Sequence, residues 1–204
     1  MIDETRPRTR AEQRDATRAA IVAAAADCLV EDGYAAWTTR RVAERAGVAQ
    51  STLMHHFPAR ERLLIEAVER LAWQLAQDAL RRLDIDALRS RKHRNRVLDE
   101  TWRTFTSPQA LAAAQLWSAA WSEPKLAAAL NELEERIGAI VMGATTTLFR
   151  DAAEQRDLAA MVDAAMMILR GLVMAIPING REAVDARWRA IKPLLDDAVA
   201  RLFD

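Results

Sequence analysis

Apolar residues recur at three- and four-residue spacing along the whole chain, and no stretch alternates apolar with polar residues as a half-buried strand does. Leu63, Leu64, Ala67, Leu71 and Leu75 fall along one side of a helix, with Leu80 near its end. Leu126, Leu130, Leu133 and Ile137 do the same, opposite Glu132, Glu135 and Arg136. Six glycines and six prolines in 204 residues leave little to interrupt helices. The fold class read from this pattern is all-α, with length for one or two domains and a sizeable core.

Charge and cysteine narrow the classes further. Lys plus Arg is 29 and Asp plus Glu is 29, so no global basic field points to nucleic acid, and any affinity for it must come from locally placed arginines. The single cysteine, Cys28, shares the apolar face of the first helix with Ile21 and Ala25, which excludes a disulfide scaffold. The N-terminus has no apolar signal core, and the longest apolar run, Leu158 to Ile178, is interrupted by Asp163 and Arg170. At ~2.5 to 3.5 kcal/mol for each charge at a bilayer centre, that run reads as a buried helix of a cytoplasmic protein with no membrane partner.

The stretch WTTRRVAERAGVAQSTLMHHF, Trp37 to Phe57, reads as two short helices around a tight turn. Thr38 is placed to cap a helix over Thr39 to Ala46, and Gly47 stops it by taking the left-handed conformation that a Cβ opposes. A second helix runs from about Gln50 to Phe57. Val42 with Ala46, and Leu53 with Phe57, make two facing apolar stripes. Outward on the second helix remain Gln50, Ser51, Thr52, Met54 and His55, a polar surface with few charges that suits base edges and phosphates.

Residues 10 to 64 resemble the N-terminal domain of the TetR family of bacterial transcriptional regulators. The resemblance rests on Gly33-Tyr34, Thr38-Thr39, Val42-Ala43, Ala46-Gly47-Val48, Thr52-Leu53, His55-His56-Phe57, Arg60 and Leu63-Leu64, in register and without gaps. Three positions depart from it. Ala49 stands where the family usually has a capping Ser, Met54 where it usually has a phosphate-touching Tyr, and Ala59 where a Ser or Asn usually caps the fourth helix. Each missing cap costs ~1 kcal/mol of helix-end stability. The resemblance implies an N-terminal three-helix bundle with a helix-turn-helix, then a larger helical domain for ligand binding and dimerisation. It also implies a double-stranded DNA operator as partner, with Thr38, Thr39, Arg40, Arg41 and Arg60 on phosphates, Gln50, Ser51, Thr52 and His55 on base edges, and Met54 against a thymine methyl.

The expected organisation is a tail over residues 1–9, a DNA-binding domain over 10–57 and the helical domain over 58–204. Arg6, Arg8 and Arg10 make the tail a candidate arm on phosphate or simply a solvated end. The fourth helix should start near Pro58. Residues 89–96, RSRKHRNR, read as a solvated loop with His93 exposed. Further helices are expected at about 97–106, 108–121, 124–150, 157–176 and 181–203.

Large side chains among many alanines leave shaped space. Trp73, Trp102, Phe105, Trp117, Trp121 and Met142 are candidates to line a site for an apolar or amphipathic inducer, which the family resemblance implies, although any one such residue more often simply fills core. The segment LWSAAWSEPKLAAAL loosely resembles the C-terminal domains of the BetI-like branch. In the last two helices Met166, Arg170, Val184, Trp188, Ile191, Leu195 and Val199 are candidates for a homodimer interface, since a helix apolar all round needs neighbours all round. Pro193 is expected to bend the final helix. Asp163 and Arg170 can pair with each other, across a dimer or with a polar ligand group, structural pairing being favoured.

No catalytic constellation emerges. There is no glycine-rich loop after a strand, His55 and His56 point about 100° apart, and no His pair has the spacing for zinc. The expectation is a non-enzymatic regulator with no metal and no cofactor. The alternative is a helical ligand- or partner-binding protein whose reading head has lost DNA affinity.

Overall fold

The computed structural model describes residues 9–82, 90–148 and 152–201, and all its regular elements are helical. It divides into two units, Met1–Leu71 and Ala72–Asp204. The tail expected over residues 1–9 lies almost wholly outside the described residues.

In the first unit, α1 (Arg10–Asp32) opens on a reciprocal cap. The Glu12 amide donates to Thr9 Oγ1 at 3.2 Å while the Thr9 amide donates to the Glu12 carboxylate at 2.6 Å. A 3-10 turn, Tyr34–Ala36, leads to Trp37, whose buried indole donates to the Ala25 carbonyl at 3.0 Å. Helices α2 (Thr39–Ala46) and α3 (Gln50–His56) follow, packed against α1 and each other. Their core is apolar and tight: Ile21, Leu29, Trp37, Val42, Leu53 and Phe57 are all but inaccessible. Ala43 joins Val42 there, while Ala46 is only half-buried. Pro58 and Ala59 form a bend, so α4 (Arg60–Arg82) begins two residues later than the proline alone suggests. Leu63, Leu64, Ala67 and Leu71 bury the expected side of it; the side chains of Leu75 and Leu80 lie outside the described set.

The second unit contains α5 (Arg91–Phe105), α6 (Pro108–Ala119), α7 (Pro124–Leu148), α8 (Ala152–Asn179) and α9 (Arg181–Ala200). Pro108 and Pro124 start α6 and α7, where a missing N–H costs nothing. Helix α8 continues through Pro177 to Asn179, and Gly180, at φ 80°, turns the chain directly into α9, which is continuous through Pro193. Around α5, α6, α8 and α9 lies a core centred on Trp102 and Trp188, whose rings stack 5.2 Å apart and 12° from parallel.

Two expectations fail in this unit. The charge run is no solvated loop: residues 91–96 form the first turns of α5. Arg94 is 8% exposed and donates to the Asp196 carboxylate at 2.8 Å, Asp196 is 2% exposed, and Arg91 approaches its other oxygen at 3.4 Å. His93 is half-buried and not exposed, with Nδ1 buried and without a hydrogen-bond partner among the described residues. A buried carboxylate delivered by α9 satisfies the guanidinium, which is why it leaves solvent. The second failure concerns the candidate dimer residues. Val184, Trp188 and Leu195 are buried within their own chain, and Ile191 packs on the same core. Their near-heptad stripe is already covered by α5 and α8, so it is not the face offered to a second copy. Met166 and Val199 are half-buried. Arg170 pairs with Glu134 of α7 at 2.7 Å, not with Asp163, which is exposed.

Candidate nucleic-acid interface

The reading head is assembled by local signals. Thr38 sits in extended backbone with its hydroxyl accepting from the Arg41 amide at 3.2 Å, which fixes the start of α2. Gly47 adopts φ 68°, ψ 29°, and the Val48 amide returns to the Ala43 carbonyl at 3.0 Å, closing the helix end. A side chain at Gly47 would meet nothing within 4 Å, so backbone strain alone demands glycine there. Ala49 caps α3 by position only, with no side-chain hydrogen bond.

Leu53 and Phe57 anchor α3 in the core, and its opposite surface turns to solvent. Gln50, Ser51, Met54 and His55 are exposed and Thr52 is half-buried. This is the outward set expected from the sequence: amide, hydroxyl, thioether and imidazole groups able to donate, accept and make apolar contact within two helical turns. His56 stands edge-on to His55, with ring centres 5.8 Å apart. Burial, then the charges of His55, Arg14 and Arg18, push its pKa below the usual histidine value.

The flanking cations are less simple. Arg40 is ion-paired with Glu44 at 3.0 Å, and Arg41 with Asp32 at 2.8 Å. Arg45, which sequence reasoning did not single out, makes a two-pronged contact with Glu31 at 2.6 and 2.5 Å, with Asp27 at 3.6 Å. That contact holds the Glu31 carboxyl below its ordinary pKa. Arg60 lies over the faces of Tyr34 and Trp37, 5.2 and 5.5 Å from the ring centres. Thr38 retains a hydroxyl proton for a phosphate, and Thr39 is half-buried beside it.

The six candidate ligand residues do not share one environment. Trp102 is packed against Trp188 and donates to Asp185 at 2.8 Å. Phe105 is half-buried against the same core. Trp117 is half-buried, donating to Glu134 at 2.5 Å, with the Arg170 guanidinium 5.0 Å from its ring centre. Trp73 is exposed and Trp121 is 93% exposed, so Trp121 lines no interior space; the turn at the end of α6 carries it outward. The Met142 side chain lies outside the described residues. Sequence reasoning missed Thr106 and Arg181, which tie the α5–α6 turn to α9 through an Nη2–Oγ1 bond of 2.9 Å. No local pattern signals a pair so far apart in the chain.

Residues 21–67 match the family described as bacterial regulatory proteins, tetR family. Over 76 residues the chain is 37% identical to the HTH-type transcriptional regulator CymR of Pseudomonas putida. That alignment covers 37% of each protein, so the chain matches little more than a third of that relative's length. The whole-chain fold is similar to the putative transcriptional regulator SCO7518 of Streptomyces coelicolor A3(2), with a TM-score of 0.58, 24% identity, and 91% of this chain and 97% of that one covered. It is also similar to the multidrug binding protein EbrR complexed with imidazole, with a TM-score of 0.57, 19% identity, and 91% and 93% covered.

Proposed function

Because residues 21–67 match the tetR family of bacterial regulatory proteins, we propose that this chain is a cytoplasmic, sequence-specific DNA-binding regulator of that family, a repressor released from its operator by a small apolar or amphipathic ligand. The observation that carries this is α3 itself. It is held rigidly by Leu53 and Phe57 and presents Gln50, Ser51, Thr52, Met54 and His55 outward after a glycine turn. Two such helices in a homodimer would enter successive major grooves ~34 to 36 Å apart. Gln50, Ser51, Thr52 and His55 meet base edges and Met54 a thymine methyl, while Thr38, Thr39, Arg40, Arg41 and Arg60 hold phosphates. Arg40 and Arg41 must exchange a carboxylate for a phosphate, which costs little because exposed ion pairs are worth only ~0 to 1 kcal/mol.

The face left for a second copy is the outer side of α8 and α9. Ala159–Asn179 is long and apolar enough to cross a bilayer, yet only 17% of its most apolar window is buried in the chain. Leu169, Leu172 and Val173 turn its other side into the protein core. Met167 (52% exposed), Ile178 (84%) and Leu194 (68%) are the large apolar side chains such a dimer would cover. For the ligand, half-buried Phe105 and Trp117 offer aromatic surface, and Trp188 Nε1 is buried without an acceptor among the described residues. An acceptor-bearing amphipathic ligand would satisfy that donor. The fold shared with a multidrug-binding protein fits a ligand-holding domain.

The test is fluorescence anisotropy of the purified protein with DNA from upstream of its own gene, across salt, against unrelated DNA. Selective binding that weakens as salt rises is expected. A folded dimer that shows no selectivity at low salt would favour a ligand- or partner-binding protein without a working reading head.

A further inference from the structure

The arginines beside α3 fall into two sets. On the α2 side, Arg40, Arg41 and Arg45 each already touch a carboxylate: Glu44, Asp32, and Glu31 with Asp27. On the other side, α1 carries Arg10, Arg14 and Arg18 four residues apart, which puts them on one stripe. The stripe's position is fixed at its inner end. Arg18 pairs with Glu66 at 2.5 Å, and its guanidinium stands 4.7 Å from the ring centre of Phe57, the residue that closes α3. Arg14 lies one turn before Arg18 on the same stripe, and the charges of both arginines reach the His56 imidazole and help lower its pKa.

Arg14 and Arg10 differ from the α2 set in what they touch. Both are exposed, and among the described residues neither has a carboxylate partner. Glu12, the acid between them, is turned back on the Thr9 amide by the reciprocal cap, and Asp15 lies about 100° around the helix from Arg14. Among the described residues, Arg10 and Arg14 at this end of the head face no carboxylate, whereas on the α2 side Arg40, Arg41 and Arg45 are paired with Glu44, Asp32, Glu31 and Asp27.

We infer that Arg14, supported by Arg10, is a phosphate-holding residue of the DNA interface, gripping the backbone on the α1 side of α3. There it supplies a contact of the kind that Met54, lacking a hydroxyl, cannot make. An exposed guanidinium with no carboxylate partner among the described residues offers a two-pronged donor to a phosphate. This inference rests on the reading of α3 as a DNA-reading helix.

The test compares wild type with Arg14→Ala, Arg14→Lys and Arg41→Ala by anisotropy across salt, on the upstream DNA and on unrelated DNA, with circular dichroism confirming each fold. Arg14→Ala should weaken both DNAs by a similar factor, on the order of tenfold. It should also flatten the slope of log K against log salt by about 0.9 per subunit. Arg14→Lys should restore most of the slope, and Arg41→Ala, which removes another phosphate contact, should flatten it by a similar amount. Wild-type binding with an unaltered Arg14→Ala affinity and slope overturns this inference alone, as does a loss confined to the upstream sequence. A wild type that binds neither DNA overturns the function proposed above as well.

Discussion

The two units bury different things. In the first, the largest inaccessible side chains are Trp37, Phe57, Ile21, Leu29 and Leu53, and the buried Trp37 indole donates to a carbonyl. In the second, Arg94, Thr106 and Asp196 are all buried, and a polar chain runs from Trp102 through Asp185 to Arg181 and Thr106. Burial works to raise the Asp185 pKa, but donors from Trp102 and Arg181 outweigh it and hold the carboxyl below its usual range. The larger unit has its own apolar core around Trp102, Trp188, Leu169 and Val184. A buried ion pair between α5 and α9 penalises every register but one. Both units are fixed by the shape of large side chains, and the larger one adds buried pairing to shape.

Substitutions can break or sharpen this contrast. Asp196→Ala removes the carboxylate to which the buried Arg94 guanidinium donates and should cost about 3 to 5 kcal/mol in urea unfolding. Combining Arg94→Met with Asp196→Leu should recover most of that loss if the pair specifies register more than it stabilises. A cost below about 1 kcal/mol for the single change would erase the contrast. In the apolar head, Leu53→Ala should cost about 2 to 5 kcal/mol, followed by tryptophan fluorescence during denaturation. Gly47→Ala should cost about 1 to 2 kcal/mol through its left-handed backbone, since no atom obstructs the added methyl, and Gly47→Asn should cost less on the same assay. Ala49→Ser should raise stability by about 1 kcal/mol, visible as a higher melting temperature, by giving α3 the side-chain cap it lacks.

The smallest effect is one of pH. The fold holds His56 as neutral imidazole by lowering its pKa from 6.5, so the unfolded chain takes the proton first as acid is added. Stability should then decline below about pH 6.5 until the folded pKa is passed. His56→Asn should flatten that part of the urea-midpoint profile between pH 5 and pH 7, and an unchanged slope would remove the imidazole from the account.

Legibility follows the same division. Thr38, Gly47 and the Leu53/Phe57 pair were readable because their partners lie within a few residues, where capping, handedness and helical spacing act. Arg94 was not, because its carboxylate lies 102 residues away and a run such as RSRKHRNR looks alike whether solvated or paired. Periodicity marked Val184, Trp188 and Leu195 as one apolar face, but it cannot say whether the face meets its own chain or a copy. Thr9 and Glu12 did carry a signal, the Thr-x-x-Glu spacing of a reciprocal cap. So did Arg14, with no acid three or four positions away.

Gly180 alone joins the 28-residue α8 to the 20-residue α9. Closing so short a connection costs almost no chain entropy, whereas bringing Arg94 to Asp196 must close a loop of a hundred residues. The α8–α9 hairpin is thus favoured to condense first as the chain folds, and α5 docks on a surface already formed. In that order the buried ion pair acts as a late checkpoint. Its geometry is completed only when α5 has found its place.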